Sequence, residues 1–171
     1  MESDELDLKL HESEEIYRRI FGYCNCPMFL VDPAVDKIIA ANHQASAMLG
    51  YSQEELLSIP VSAIHPDEMP KLRAFAESVL QIRTGRSDEL MYRTKEGRVL
   101  PAEIQASSIM VAGRPLIIAM VRDITARRRA ADELSQSQER FRSLSASAPI
   151  GIFQTDAEGK CAYTNKQMQA L

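Results

Sequence analysis

SDELMYRTKEGRVLPAEIQASSIMVAGRPLIIAMVRDIT, running from Ser87 to Thr125, reads as three strands in succession and then the start of a charged helix. Its middle sets the period. Leu100, Ala102, Ile104, Ala106, Ser108 and Met110 occupy alternate positions and are mostly apolar, the pattern of a strand with one buried face. Val111-Ala112-Gly113-Arg114 then supplies a turn, with Gly113 free to take a positive φ. Leu116 to Val121 is apolar throughout, so both faces of that strand call for cover. Ahead of these, Asp88 to Thr94 is closed by a Lys95-Glu96-Gly97 turn. Three antiparallel strands on short turns make a meander, and Val121-Arg122-Asp123-Ile124-Thr125 carries it directly into a helix. That order suits a sensor, in which a sheet that contacts a ligand is joined to an output lever.

Upstream, residues 1–22 are predicted helical. Leu6, Leu10, Tyr17 and Ile20 fall on a seven-residue repeat that Ser13 interrupts; Ser13 with Glu14-Glu15 behind it equally allows a separate helix to start there. Met28 to Val31 and Lys37 to Ala41 form a short hairpin around Asp32 to Asp36. Asn42 is an N-cap for Gln44 to Leu49, with Gly50 as the C′ residue. Ser52-Gln53-Glu54-Glu55 is a capping box. Pro60 ends that helix, Pro66-Asp67-Glu68 opens another turn, and a longer helix begins near Pro70. Leu72, Phe75, Ala76, Val79 and Leu80 give it one apolar face, and Gly85 closes it.

The chain has 171 residues, 45% of them hydrophobic, enough for one core and part of a second. A net charge of −4 argues against a general nucleic-acid binder. No apolar run reaches the ~20 residues of a membrane span, and the N-terminus lacks a signal-peptide pattern. Three cysteines make no disulfide framework, so a cytoplasmic location is expected. Cys24, Cys26 and Cys161 fall short of a four-ligand zinc set, and no metal is expected. No phosphate loop or nucleophile–base pairing is present, so this stretch of chain is not expected to be an enzyme.

After Thr125 the chain is charged and helical to about Ser143, with Ile124, Ala131, Leu134, Gln138 and Phe141 on a heptad seam. Arg127-Arg128-Arg129 reads as a solvated face of that helix. The tail of the chain repeats its beginning. Pro149-Ile150-Gly151-Ile152-Phe153 echoes Pro27-Met28-Phe29-Leu30-Val31, Asp156 to Lys160 matches the turn from Asp32 to Lys37, and Asn165 matches Asn42. The expected domains are a helix at 1–22, a sensory domain at 23–125, a linker helix or coiled coil at 126–145, and at 146–171 the truncated start of a second copy.

This order resembles the PAS family. Met48-Leu49-Gly50-Tyr51-Ser52-Gln53-Glu54-Glu55-Leu56 is similar to that family's signature, Ile64-His65-Pro66-Asp67-Glu68 to the turn leading into its long helix, Lys95-Glu96-Gly97-Arg98 to its hairpin turn, and Asp123-Ile124-Thr125 to its exit motif. The resemblance spans residues 14–125 and begins again at 139–171. It implies an α+β fold: a five-stranded antiparallel sheet in the order 2-1-5-4-3, helices on one face, and flanking signalling helices. It also implies a sensory and dimerisation module of a bacterial signalling protein, a sensor histidine kinase first, with a diguanylate cyclase or a transcriptional regulator as the alternative. No cysteine lies between Ser52 and Ala63, and the long helix holds no histidine at Lys71 to Glu77, so covalent flavin and haem are both disfavoured. His65 is read as a structural histidine.

The candidate pocket lies between the long helix and the inner sheet face: Phe75, Val79, Leu90, Tyr92, Ile104, Ala106, Ile118 and Met120. Each of these is equally compatible with a plain packed core. Asp123, Ile124 and Thr125 are the candidate relay, through capping of the linker helix. Two functions stay open, a small-ligand sensor acting through the linker helix on an output domain in the same chain, and an unliganded dimerisation and relay module. A homodimer through residues 1–22 and the outer sheet face is expected, with no nucleic acid and no membrane insertion.

Overall fold

The computed structural model describes residues 2–65 and 68–169, with side chains from residue 11 onward save that of Ser13. The expected roles of Leu6, Leu10 and Ser13 in a helical seam, and of Pro66 and Asp67 in a turn, lie outside the described residues. The chain divides into two units, Met1–Thr125 and Ala126–Leu171.

The first unit opens with α1 (Glu2–Tyr23), unbroken at Ser13. Next come β1 (Met28–Asp32), β2 (Lys37–Ala41), α2 (His43–Leu49), α3 (Gln53–Ser58), a 3-10 turn (Val61–Ile64) and α4 (Met69–Ile82). The meander comprises β3 (Thr84–Ser87), β4 (Met91–Arg93), β5 (Val99–Val111) and β6 (Arg114–Asp123). Every pairing is antiparallel, in the order β2-β1-β6-β5-β3, with β4 also on β5. This is the expected 2-1-5-4-3 sheet with its edge strand in two pieces. Ser87 pairs with Ile104 but Met91 with Pro101, so one extra residue sits between β3 and β4 as a bulge. Pro101 has no N–H to give the ladder, which is where such a break belongs.

Local chemistry sets the helix ends. Asn42 Oδ1 accepts from the Ala45 N–H at the start of α2, and Gly50 takes the left-handed conformation (φ 77°) after its end. Ser52 and Glu55 form the reciprocal capping box of α3. Pro70 stands in the first turn of α4. The stop of α4 corrects the expectation: Arg83, at φ 73°, is its left-handed cap, and Gly85 belongs to β3. A Cβ on Gly85 would lie 2.6 Å from Val79 Cγ2 and 3.1 Å from Phe75 Cε2. The glycine is there so that β3 can press against α4.

The core gathers beneath the helices, with Phe29, Ile38, Leu49, Leu56, Ile64, Val79, Leu90 and Val121 almost wholly buried. Helix α4 packs against β3, β5 and β6, and α3 against β2. The second unit consists of α5 (Thr125–Ser147), the hairpin of β7 (Phe153–Thr155) and β8 (Cys161–Thr164), and α6 (Lys166–Gln169). There Phe141 of the expected seam meets Tyr163, ring centroids 5.4 Å apart.

Two asparagines occupy equivalent places. Buried Asn42 accepts from the N–H of Met28 and of Ala45 and donates to the carbonyls of Phe21 and Cys26. Asn165 accepts from the N–H of Ile152 and of Met168 and donates to the carbonyls of Ser145 and Ile150. Each ties the last turn of the preceding helix to the first strand and to the next helix.

Candidate functional site

Between α4 and the inner sheet face lies a cavity of about 630 Å³. Its helical wall is Leu72, Phe75, Ala76 and Leu80; its sheet wall is Phe29 and Val31 of β1, Tyr92 of β4, Ile104 and Ala106 of β5, and Ile117 and Ala119 of β6. The β1–β2 turn, Pro33 to Asp36, closes one side, and Val61, Ile64 and His65 another. Asp36 holds that side in place. At φ 52° it turns its carboxylate onto the Ser62 N–H (3.0 Å) and hydroxyl (2.5 Å), while its carbonyl accepts from the Val61 N–H.

Of the sequence-predicted pocket residues, Phe75, Tyr92, Ile104 and Ala106 line this cavity. Val79 and Leu90 are buried in the core beside it but outside its lining. Ile118 and Met120 do not line it: the strand turns Ile117 and Ala119 inward, so their neighbours face the opposite side, with Met120 43% exposed. The sequence left this phase open because β6 is apolar on both faces. The missing signal lies in the turn. Ala112 and Gly113 both have positive φ, 49° and 76°, as a two-residue hairpin turn requires. Such a turn pairs Val111 with Arg114 and hence Ala106 with Ala119, which puts both on one face.

Besides Asp36, Arg73 and Glu77, the lining holds two buried polar rings, His65 and Tyr92, 4.3 Å apart. The His65 Nδ1 donates to the Met91 carbonyl at 2.9 Å, which leaves Nε2 as the acceptor. Burial lowers its pKa to about 4, against weaker opposing pulls from the Met91 hydrogen bond and the charges of Glu68 and Asp36. It is therefore a neutral imidazole near pH 7. Burial pushes the Tyr92 phenol well above its ordinary value. In the sequence His65 reads as part of a helix start, which hides its place in the cavity wall.

At the exit of the sheet, Asp123 Oδ1 accepts from the Thr125 N–H at 2.7 Å. Ile124 is buried, and its N–H donates to the Pro101 carbonyl at 3.0 Å. The Thr125 Oγ1 is buried with no hydrogen-bond partner among the described residues. Cys24 and Cys26 have sulfurs 2.9 Å apart; a hydrogen bond from Cys26 lowers the Cys24 pKa, and burial first of all raises that of Cys26. No group of three or more metal-ligating side chains occurs among the described residues, and no described helix is long and apolar enough to cross a membrane.

A cavity enclosed by one long helix and a curled antiparallel sheet, whose last strand runs into a helix, defines a sensory α+β domain. The family model described as "PAS domain" matches residues 25–126, and the chain belongs to that family. Among curated proteins it is similar to the methyl sulfide methyltransferase-associated sensor of Methanosarcina acetivorans, with 32% identity over 123 residues. That match covers 71% of this chain and 12% of the relative, so the chain spans a small part of that protein. Among solved structures, a PAS domain from a two-component sensor histidine kinase superposes with a TM-score of 0.58 at 18% identity, covering 66% of this chain and 97% of the other. A PAS domain from Colwellia psychrerythraea gives 0.59 at 21% identity, covering 66% and 97%.

Proposed function

We propose that this PAS domain binds a small molecule in the cavity between α4 and the sheet and passes the event through α5 to an output domain in the same chain. One observation carries the reading. Strand β6 forms part of the cavity wall through Ile117 and Ala119, and six residues of the same chain later it becomes α5 through Asp123-Ile124-Thr125. A ligand that strains β6 thereby acts on the residues that start the helix. A sensor histidine kinase is the output we favour, supported by the kinase origin of one structural neighbour.

In this reading the chain binds rather than catalyses, works in the cytoplasm and acts as a homodimer. The dimer is supported by apolar side chains that stay exposed on both flanking helices, among them Ile20 (67%) on α1 and Leu134 (61%) on α5. The second unit is the start of a second PAS domain, supported by the matching hydrogen bonds of Asn42 and Asn165.

The test uses the full-length protein with its native output domain. Ala106→Leu fills the cavity, and Asp123→Ala removes the carboxylate at the junction, a loss of about 1 kcal/mol that a folded domain tolerates. Both variants are expected to fold and to lose regulation of the output, and only Ala106→Leu to lose any small molecule that native mass spectrometry finds on the wild type. Output regulation that survives both substitutions in folded protein overturns the proposal.

A further inference from the structure

The link between α1 and β1 carries two thiols that neither line the cavity nor belong to the relay. Cys24 is the first residue beyond α1, and its N–H still donates to the Ile20 carbonyl at 3.2 Å. The chain bends at Asn25 and Cys26, which brings the two sulfurs to 2.9 Å. Small side-chain rotations take such a pair to bonding distance. Both cysteines are half-buried, with exposed Asn25 between them, so a small solute can reach them. The sulfurs are not alike. The Cys26 S–H donates to Cys24 and makes it the readier thiolate, while burial helps Cys26 keep its proton. Two thiols fall short of a closed zinc site, and no group of three or more metal-ligating side chains among the described residues takes them in.

The same few residues carry the ties between α1 and the sheet. Asn42 Nδ2 donates to the Cys26 carbonyl at 2.9 Å and to the Phe21 carbonyl at 3.2 Å, and its Oδ1 accepts from the Met28 N–H at 2.9 Å. The Pro27 carbonyl accepts from the Val121 N–H of β6 at 2.9 Å. A bond between the two sulfurs closes a small ring through the Asn25 backbone. That ring refixes the bend from which these hydrogen bonds are made.

We propose that Cys24 and Cys26 form a dithiol site that hydrogen peroxide oxidises to a reversible disulfide, which resets the tie between α1 and the sheet. The switch does not depend on an occupant of the cavity. The Cys24 thiolate attacks one peroxide oxygen; the S–O bond forms, the O–O bond breaks, and the hydroxide released takes up the proton that Cys24 had given to solvent. The Cys26 sulfur then attacks the sulfur of this sulfenic acid. The S–S bond forms, the S–O bond breaks, and the departing hydroxide leaves as water with the Cys26 proton. Two electrons pass from the thiols to the peroxide, which ends as two waters. A strained disulfide is readily reduced by another dithiol, and in a reducing compartment such bonds are transient and redox-sensing.

The test uses the intact chain with Cys161→Ser, so that the exposed third thiol takes no part. The protein is treated with hydrogen peroxide, alkylated and digested with trypsin. The peptide of residues 20–37 holds both cysteines. It should lose two hydrogens, resist alkylation and recover both thiols on treatment with dithiothreitol; oxidation of Met28 in the same peptide adds an oxygen instead. Dimedone should label Cys24 in Cys26→Ser, and Cys26 in Cys24→Ser should react with peroxide at least about threefold more slowly, the net of thiolate fraction and nucleophilicity. In the oxidised chain the amides of Cys24, Met28 and Val121, whose hydrogen bonds meet at this segment, should exchange with deuterium faster than in the reduced chain, and slow again on reduction. Thiols that stay free, or that pass to sulfinic acid without joining, overturn the dithiol site. A disulfide that forms and leaves exchange at those amides unchanged overturns the switch.

Discussion

His65 must enter the fold without its proton. Unfolded, the ring titrates near its ordinary value of 6.5; folded, burial holds it at about 4. Between those values the unfolded chain binds more protons, so stability is full above pH 6.5 and falls as the pH drops towards 4. The loss attributable to this ring is about 3 kcal/mol at its limit. Urea unfolding of wild type and His65→Gln at a series of pH values isolates it from the carboxylates, which both proteins share. The wild type should lose the additional stability and the variant should not; parallel curves would count against a buried neutral His65. Residue by residue, the site was legible wherever a period was clean. Phe75 could be placed from the repeat of α4, and Ile104 and Ala106 from the alternation of β5. Ile118 and Met120 failed because an all-apolar strand has no phase to read. His65 was read as structural, but its place in the cavity lining was not legible, because a histidine before a helix has a sufficient local explanation in capping and only the fold brings its ring to Tyr92.

At the scale of elements, β3 comes against α4 at a point where there is no room for a methyl group. Gly85→Ala places one within 2.6 Å of Val79 Cγ2, and Val79 is itself fully buried. The substitution should destabilise the domain by about 1–3 kcal/mol, the usual range for overpacking. Denaturant midpoints with unchanged m-values check this, and an equally stable variant would mean that β3 moves outward freely. Helix starts were readable in advance because caps are local chemistry: Asn42 and Ser52 do in the structure what their side chains permit. The end of α4 was not, since Arg83 takes a positive φ that glycine takes more readily. The glycine two residues on was needed for contact rather than for conformation. The split edge strand was hidden for a related reason. Pro101 marks the break, but it lies on β5, while the interruption shows in the strand opposite.

At the scale of the molecule, the two-strand start, helical middle and meander were legible in the residues themselves, while the order of the sheet was legible through the resemblance to the PAS family. The volume of the cavity was not, because an apolar lining and an apolar core are written in the same residues. A dimer held by the flanking helices predicts that deleting residues 2–22 weakens self-association at least tenfold in sedimentation equilibrium; a monomer at micromolar concentration with or without those residues would remove the dimer from the mechanism. The paired asparagines bear on the same helices. Asn42 grips the carbonyl of Phe21 near the end of α1, and Asn165 that of Ser145 near the end of α5, whose opposite end starts at Asp123. Helix α5 is thus anchored at both ends, like a shaft between two couplings. An α-helix turns ~100° per residue, so the number of residues between the anchors is an angular setting as much as a length. One residue added or lost turns every side chain beyond it by that angle about the helix axis, whereas seven bring them nearly back into phase.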